Sequence, residues 1–192
     1  MREVFYEESS MVQDIKSAKR KYIIFNVLSI VPYVFIFLWL FFIFGNLIIT
    51  TDEIIFKLAI AFVPVIFLFL LAYFSSKKRD DVYADFDYTF ISGSVRISKV
   101  IYNIKRKNVI TFGSDVIEKV GKFNSQTYKK IESYSNVKKM ILTSNRQPSE
   151  GKDFYYIYVV NNSGKKLLIL ECTQLFILSL LSFCKRHVRE EA

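Results

Sequence analysis

The sequence predicts an α+β membrane protein: a two-helix transmembrane hairpin followed by a small antiparallel β domain closed by a C-terminal helix. Two apolar runs, Ile23–Ile49 and Ile54–Phe74, carry the first part of that reading. Each reaches the ~20 residues that a helix needs to cross the hydrocarbon layer. Beyond Ser76 the pattern changes to alternating polar and apolar residues, the period of a half-buried strand, and this carries the second part.

The chain accordingly divides into an N-terminal cytosolic lead over residues 1–22, a hairpin over 23–76 and a cytosolic β domain over 77–192. The lead opens with Glu3, Glu7 and Glu8 and closes with Lys16, Lys19, Arg20 and Lys21. It reads either as a mobile tail or as a short helix or strand that returns to the β domain. A cleaved signal peptide is not expected, because the first run exceeds the 7–15 apolar residues of such a peptide and leads into a second span.

The two runs are joined by Thr50-Thr51-Asp52-Glu53, and Lys57 is the single charge inside either of them. Pro32 and Pro64 fall within the spans, where membrane helices tolerate a bend. Asn26 and Asn46 lie toward the ends of the first run, where water or headgroups are expected to satisfy them. The Lys57 stem is long enough to carry its ammonium to the interface. Two helices that are apolar all round could not be buried by a domain of about 110 residues. The flanking charges set the orientation: Lys16, Lys19, Arg20 and Lys21 precede the first span and Lys77, Lys78 and Arg79 follow the second, whereas the connecting loop is acidic. The positive-inside rule then places both termini in the cytoplasm of a bacterial inner membrane.

In the C-terminal part, Phe86, Tyr88 and Phe90 alternate with Asp85, Asp87 and Thr89, and after the turn Ser92-Gly93-Ser94 the alternation resumes from Val95 to Tyr102. These are the strands of a hairpin. A second turn, Asn103–Asn108, holds Lys105, Arg106 and Lys107, and Val109–Phe112 is the next strand. The stretch Gly113–Ser135 fits either strand or helix. Val137–Thr143, Phe154–Val160 and Leu167–Leu170 read as strands, the last two joined by the turn Asn161–Gly164. Thr173 caps a final helix expected from Gln174 to about Arg189. That makes six or seven antiparallel strands and one apolar closing helix.

The formal charge of +9 belongs to the C-terminal part, where 21 Lys and Arg face 12 Asp and Glu from Lys77 onward. Lys77, Lys78, Arg79, Lys105, Arg106 and Lys107 are the candidate binding residues, for anionic lipid headgroups or a partner protein. No recognition helix or aromatic-interleaved motif points to nucleic acid. The two cysteines, Cys172 and Cys184, are expected as reduced thiols. Cys184 and His187, three apart on the expected helix, are too few ligands for a zinc site, so neither metal nor cofactor is expected. The chain holds no Gly-rich phosphate loop and no nucleophile elbow, and no enzyme activity is expected.

The short strands, the basic turn between early strands and the closing helix resemble the pleckstrin-homology (PH) superfold. The run from Tyr88 to Ile97, Tyr-Thr-Phe-Ile-Ser-Gly-Ser-Val-Arg-Ile, is similar to the first hairpin of bacterial PH-like domains attached to paired transmembrane helices. The start, Arg2-Glu-Val-Phe-Tyr-Glu-Glu, with this layout also resembles a family of small two-span membrane proteins from clostridial-type bacteria. The resemblance implies a PH-like domain and carries no catalytic residue over. The function expected is a membrane anchor that holds a cytosolic binding or scaffolding domain at the inner leaflet. The alternative is an accessory subunit of a transporter or other membrane complex, and either role is compatible with a homo-oligomer.

Overall fold

The structure, a computed structural model, describes residues 4–46 and 54–190. It divides into two compact units: the chain up to Gln13 together with everything from Ala84 onward, and Asp14–Tyr83. The expected boundaries therefore change. The lead is part of the β domain, because Phe5–Ser10 forms strand β1, and its partner β2, Ala84–Ile91, lies on the far side of the helical insertion.

The helical unit consists of α1, Ile15–Asn46, and α2, Ile54–Val82. Both run further toward the β domain than the apolar stretches do, so Lys16–Lys21 and Lys77–Arg79 are helical. The two helices pack antiparallel: Tyr33 meets Phe69 edge-on with ring centroids 6.4 Å apart, and Arg79 Nη1 donates to Asn26 Oδ1 at 3.1 Å. Asn26 thus has a partner on the other helix, contrary to the expectation that solvent or headgroups serve it. A guanidinium one turn beyond the apolar stretch reaches back to the amide, and a charged donor makes the stronger hydrogen bond. By length and composition α1 is able to cross a membrane over Ile15–Ile43. The link through Asp52 and Glu53, and the Lys57 side chain, lie outside the described residues.

The β unit has two four-stranded sheets. In the first, β1, β2, β3 (Ser94–Ile101) and β4 (Lys105–Gly113) follow one another antiparallel. In the second the order is β5 (Ile117–Lys122), β7 (Asp153–Asn161), β8 (Gly164–Cys172) and β6 (Val137–Ile141). Here β6 runs parallel to β8, which corrects the all-antiparallel expectation. The segment 142–152 carries the chain across to β7, so β6 is left on the free edge of β8.

Phe90, Val95, Ile97, Ile157, Leu168 and Leu170, none with more than 0% exposure, fill the space between the sheets. Helix α4, Gln174–Leu181, closes this core with Phe176, Ile177 and Leu180. Because β7 alternates strictly, Tyr156 and Tyr158 point to its other face, where the short helix α3, Gln126–Glu132, covers them with Tyr128 and Ile131. The open region Gly113–Ser135 is therefore both strand and helix. Helix α4 stops eight residues short of Arg189 because packing overrides its propensity. Phe183 turns back onto Phe90 with ring centroids 5.2 Å apart, and Val188 enters the core.

Candidate functional site

The candidate basic residues fall in both units. On α2, Lys77 Nζ sits 4.6 Å from the Tyr73 ring centroid, and Arg79 pairs with Asp80 at 3.0 Å besides holding Asn26. Lys105, Arg106 and Lys107 open strand β4 instead of lying in the preceding turn. Residues 102 and 103, not the basic triplet, supply the turn, with φ of 52° and 57°. Strand alternation then splits the triplet. Arg106 Nη2 lies 2.6 Å from Asp87 Oδ2, an ion pair that compensates that buried oxygen. Lys105 and Lys107 point to the opposite face and are exposed.

The densest polar site is one the sequence did not disclose. It is a set of carboxylates that clasp strand β1 into the domain. Asp87 Oδ1 accepts the Ser9 hydroxyl at 2.8 Å, and Asp85 Oδ1 accepts the Val12 N–H at 2.8 Å where the chain leaves β1. Burial raises the Asp85 pKa, the nearby Asp87 adds to this, and the Val12 N–H offsets it only in part. Glu8 reaches across to the start of α4, where both its oxygens accept the Thr173 N–H at 3.0 and 3.1 Å. A carboxylate at that end of a helix also meets the positive pole of the peptide dipoles. Lys152, 3.2 Å from Glu8 Oε1, compensates its charge.

Glu171, near the end of β8, is the centre of the clasp and has 0% exposure. Its Oε2 accepts from Ser10 Oγ at 2.7 Å, Thr143 Oγ1 at 2.7 Å and Asn145 Nδ2 at 2.8 Å. Its Oε1 accepts both the N–H and the hydroxyl of Ser149, at 2.8 and 2.5 Å. Burial alone would push this carboxyl up, but the donors from Ser149, Thr143 and Ser10 outweigh it and bring the pKa down to about 2. Tyr88 completes the knot, donating its buried hydroxyl to Leu142 O at 2.6 Å and accepting the Glu171 N–H at 3.3 Å. The strand before the helices, the β6–β7 connection and β8 thus share one buried anion.

A second site is an open cleft of about 670 Å³ beside the free edge of β5, lined by Val120, Tyr155, Ile177, Leu178 and Glu190. The end of the chain closes one side of it. Arg189 bridges to Val120, the Glu190 N–H donates to Val120 O at 3.0 Å, and the Glu190 carboxylate accepts from Ser125 Oγ and Tyr156 OH at 2.9 and 3.0 Å. Gly121 makes this approach possible, since a Cβ there would come within 2.0 Å of Glu190 Oε2.

Among the described residues no three His, Cys, Asp or Glu side chains are grouped to hold a metal. Cys184 and His187 do not share a helix, because α4 has ended before them. Both cysteines are free thiols, and burial raises the pKa of Cys172 strongly and that of Cys184 as well, which favours the protonated form. The clasp carried one signal in the sequence, a glutamate at the end of the apolar run Leu167–Leu170. Its donors come from three distant segments, and no spacing rule connects them.

A family model described as "Bacterial PH-like domain (DUF6106)" matches residues 2–190. No curated protein and no solved structure matches the chain. The match takes in β1, the helical pair and the remainder of the split domain alike, and on it the chain belongs to the bacterial PH-like domain family DUF6106.

Proposed function

We propose that this protein is an integral membrane protein of a bacterial cell, in which α1 and α2 both span the bilayer and the PH-like domain is a cytoplasmic binding or scaffolding module without catalytic activity. The observation that carries the reading is the insertion of the helices between two neighbouring strands. Strands β1 and β2 pair along six residues, from Phe5 with Ile91 to Ser10 with Phe86. If α1 crosses a bilayer, the chain has to cross back before Ala84, and α2 is the segment available to do so. Strand pairing thus adds to hydropathy in support of two spans with both ends on one side.

The side chains on the helices support this. Phe37 and Phe41 on α1 and Phe67 and Phe74 on α2 are 60–74% exposed, in apolar runs that carry few polar residues. Such surface is stable against lipid and costly in water. The basic residues at the outer ends of both helices, from Lys16 to Lys21 and from Lys77 to Arg79, select the cytoplasm for the β domain. The family supports a binding or scaffolding role, and the cleft beside β5 offers it a surface.

Bacterial membranes washed at alkaline pH should retain the full-length protein in the pellet, and its release into the wash would contradict the two-span reading. Purification in mild detergent should then yield a monomer or homo-oligomer. Recovery of a stoichiometric second membrane protein would instead make the helical pair a subunit interface.

A further inference from the structure

The turn between β3 and β4 presents its most apolar residue outward. Tyr102 and Asn103 are both left-handed, and the Ile104 N–H donates to Ile101 O at 3.1 Å, which makes a tight hairpin turn of the mirror-image type. Ile104 follows it with 81% exposure, the highest of any large apolar side chain among the described residues. Lys105 and Lys107 come next, exposed and without an ion pair among the described residues. Lys107 stands directly opposite Lys99 in the β3–β4 register. Arg106 takes no part, because it faces the other way onto Asp87.

The register also says which end of the sheet this is. Ala84, the first residue of β2 after the helical unit, pairs with Ile101, and Ile101 pairs with Lys105. In the next row Ser10, the last residue of β1 before the chain leaves for α1, is joined through Phe86 to Lys99 and Lys107. The apolar turn and its lysines therefore lie at the end of the sheet where the chain departs for the helices and returns from them.

We propose that this turn is an interfacial contact with the anionic face of the bilayer, Ile104 dipping below the headgroups while Lys105 and Lys107 meet lipid phosphate. The inference rests on the membrane-anchor reading above. An apolar tip flanked by cations gains on both counts at an anionic leaflet, from burial of the side chain and from attraction at the surface. The contact would fix the orientation of the domain on the membrane that the helices only tether.

The test places an environment-sensitive fluorophore on Ile104→Cys in the full chain, in a Cys184→Ser background with Cys172 left buried, reconstituted in liposomes with and without phosphatidylglycerol. A label on Asn162→Cys, in the exposed β7–β8 turn, serves as control. Co-flotation after an alkaline wash reports the anchor separately. The expected result is a blue-shifted, iodide-protected label at 104 in the anionic liposomes, reverting toward water in the Lys105→Glu, Lys107→Glu variant, with the label at 162 in water throughout. A label at 104 that stays in water while the protein co-floats overturns the contact and leaves the anchor standing. Protection that persists in neutral lipid and survives charge reversal overturns the part assigned to the lysines. Loss of co-flotation overturns the anchor and this contact with it.

Discussion

Replacing residues 14–83 by a linker of about three residues should give a soluble, folded β domain, whereas a chain that starts at Ala84 should not fold. After Ser10 and Phe86 pair, the chain ends around Gln13 and Ala84 are neighbours across two strands, and neighbouring antiparallel strands lie only about 5 Å apart. A linker of hairpin length closes that gap. Removal of residues 1–13 is a different matter. It strips the edge of β2, takes Tyr6 from its edge-on contact with Phe176 at 5.8 Å, takes Glu8 from the start of α4 and leaves Glu171 without Ser10. Each lost buried hydrogen bond costs about 1–3 kcal/mol, so together they approach the 5–15 kcal/mol that holds a typical domain. Circular dichroism and a cooperative thermal transition should appear for the linked chain and be absent for the truncated one. A folded truncated domain would mean that β1 is an accessory edge.

Glu171→Gln should be among the most destabilising single substitutions in the β domain. The amide keeps the shape, but one of its two acceptor positions becomes a donor that faces the hydroxyls of Ser10 and Thr143 or the N–H of Ser149. Stranding a buried donor set of this kind costs about 3 kcal/mol or more, a fall in melting temperature on the order of 10 °C. The same residue gives an acid signature. Its folded pKa, about 2, lies below the ordinary carboxylate value of 4.5, so its contribution is fully present above that value and is lost as the pH falls toward 2. The shift corresponds to about 3 kcal/mol. In the linked β domain, the stability difference between wild type and Glu171→Gln should therefore shrink between about pH 5 and pH 2. A difference that does not vary over that window would mean that the carboxylate charge is not what the clasp uses.

The parts legible in the sequence were those whose signal is local. The apolar runs, the β2–β3 hairpin around Ser92-Gly93 and the β7–β8 hairpin around Asn161–Gly164 each announce themselves within about twenty residues. Strand β1 does not, because six residues gain a partner only across an insertion of seventy, and acidic Glu7 and Glu8 hide its alternation. Strand β4 begins four residues earlier than its apolar part because a tyrosine occupies a left-handed turn position usually given to Asn or Gly. The parallel pairing of β6 and the early end of α4 are decided by what the sheets leave open, to Val188 and Phe183 among others. The clasp was hidden for the same reason: Glu171 is one acidic residue in an apolar strand until Ser10, Thr143, Asn145 and Ser149 are folded around it. Of the candidate basic residues, alternation in β4 could have separated Arg106 from Lys105 and Lys107, had the strand start been recognised.

The central claim, a split cytoplasmic domain with two spans inserted between adjacent strands, is tested most directly by labelling single cysteines from outside the cell. Met11→Cys, before α1, and Asn162→Cys, after α2 in the β7–β8 turn, replace exposed residues, and Thr51→Cys probes the link between the helices. In a Cys184→Ser background, a membrane-impermeant maleimide should modify position 51 in intact spheroplasts and reach positions 11 and 162 only after permeabilisation. Opposite sides for 11 and 162, or the same side for all three, would contradict it.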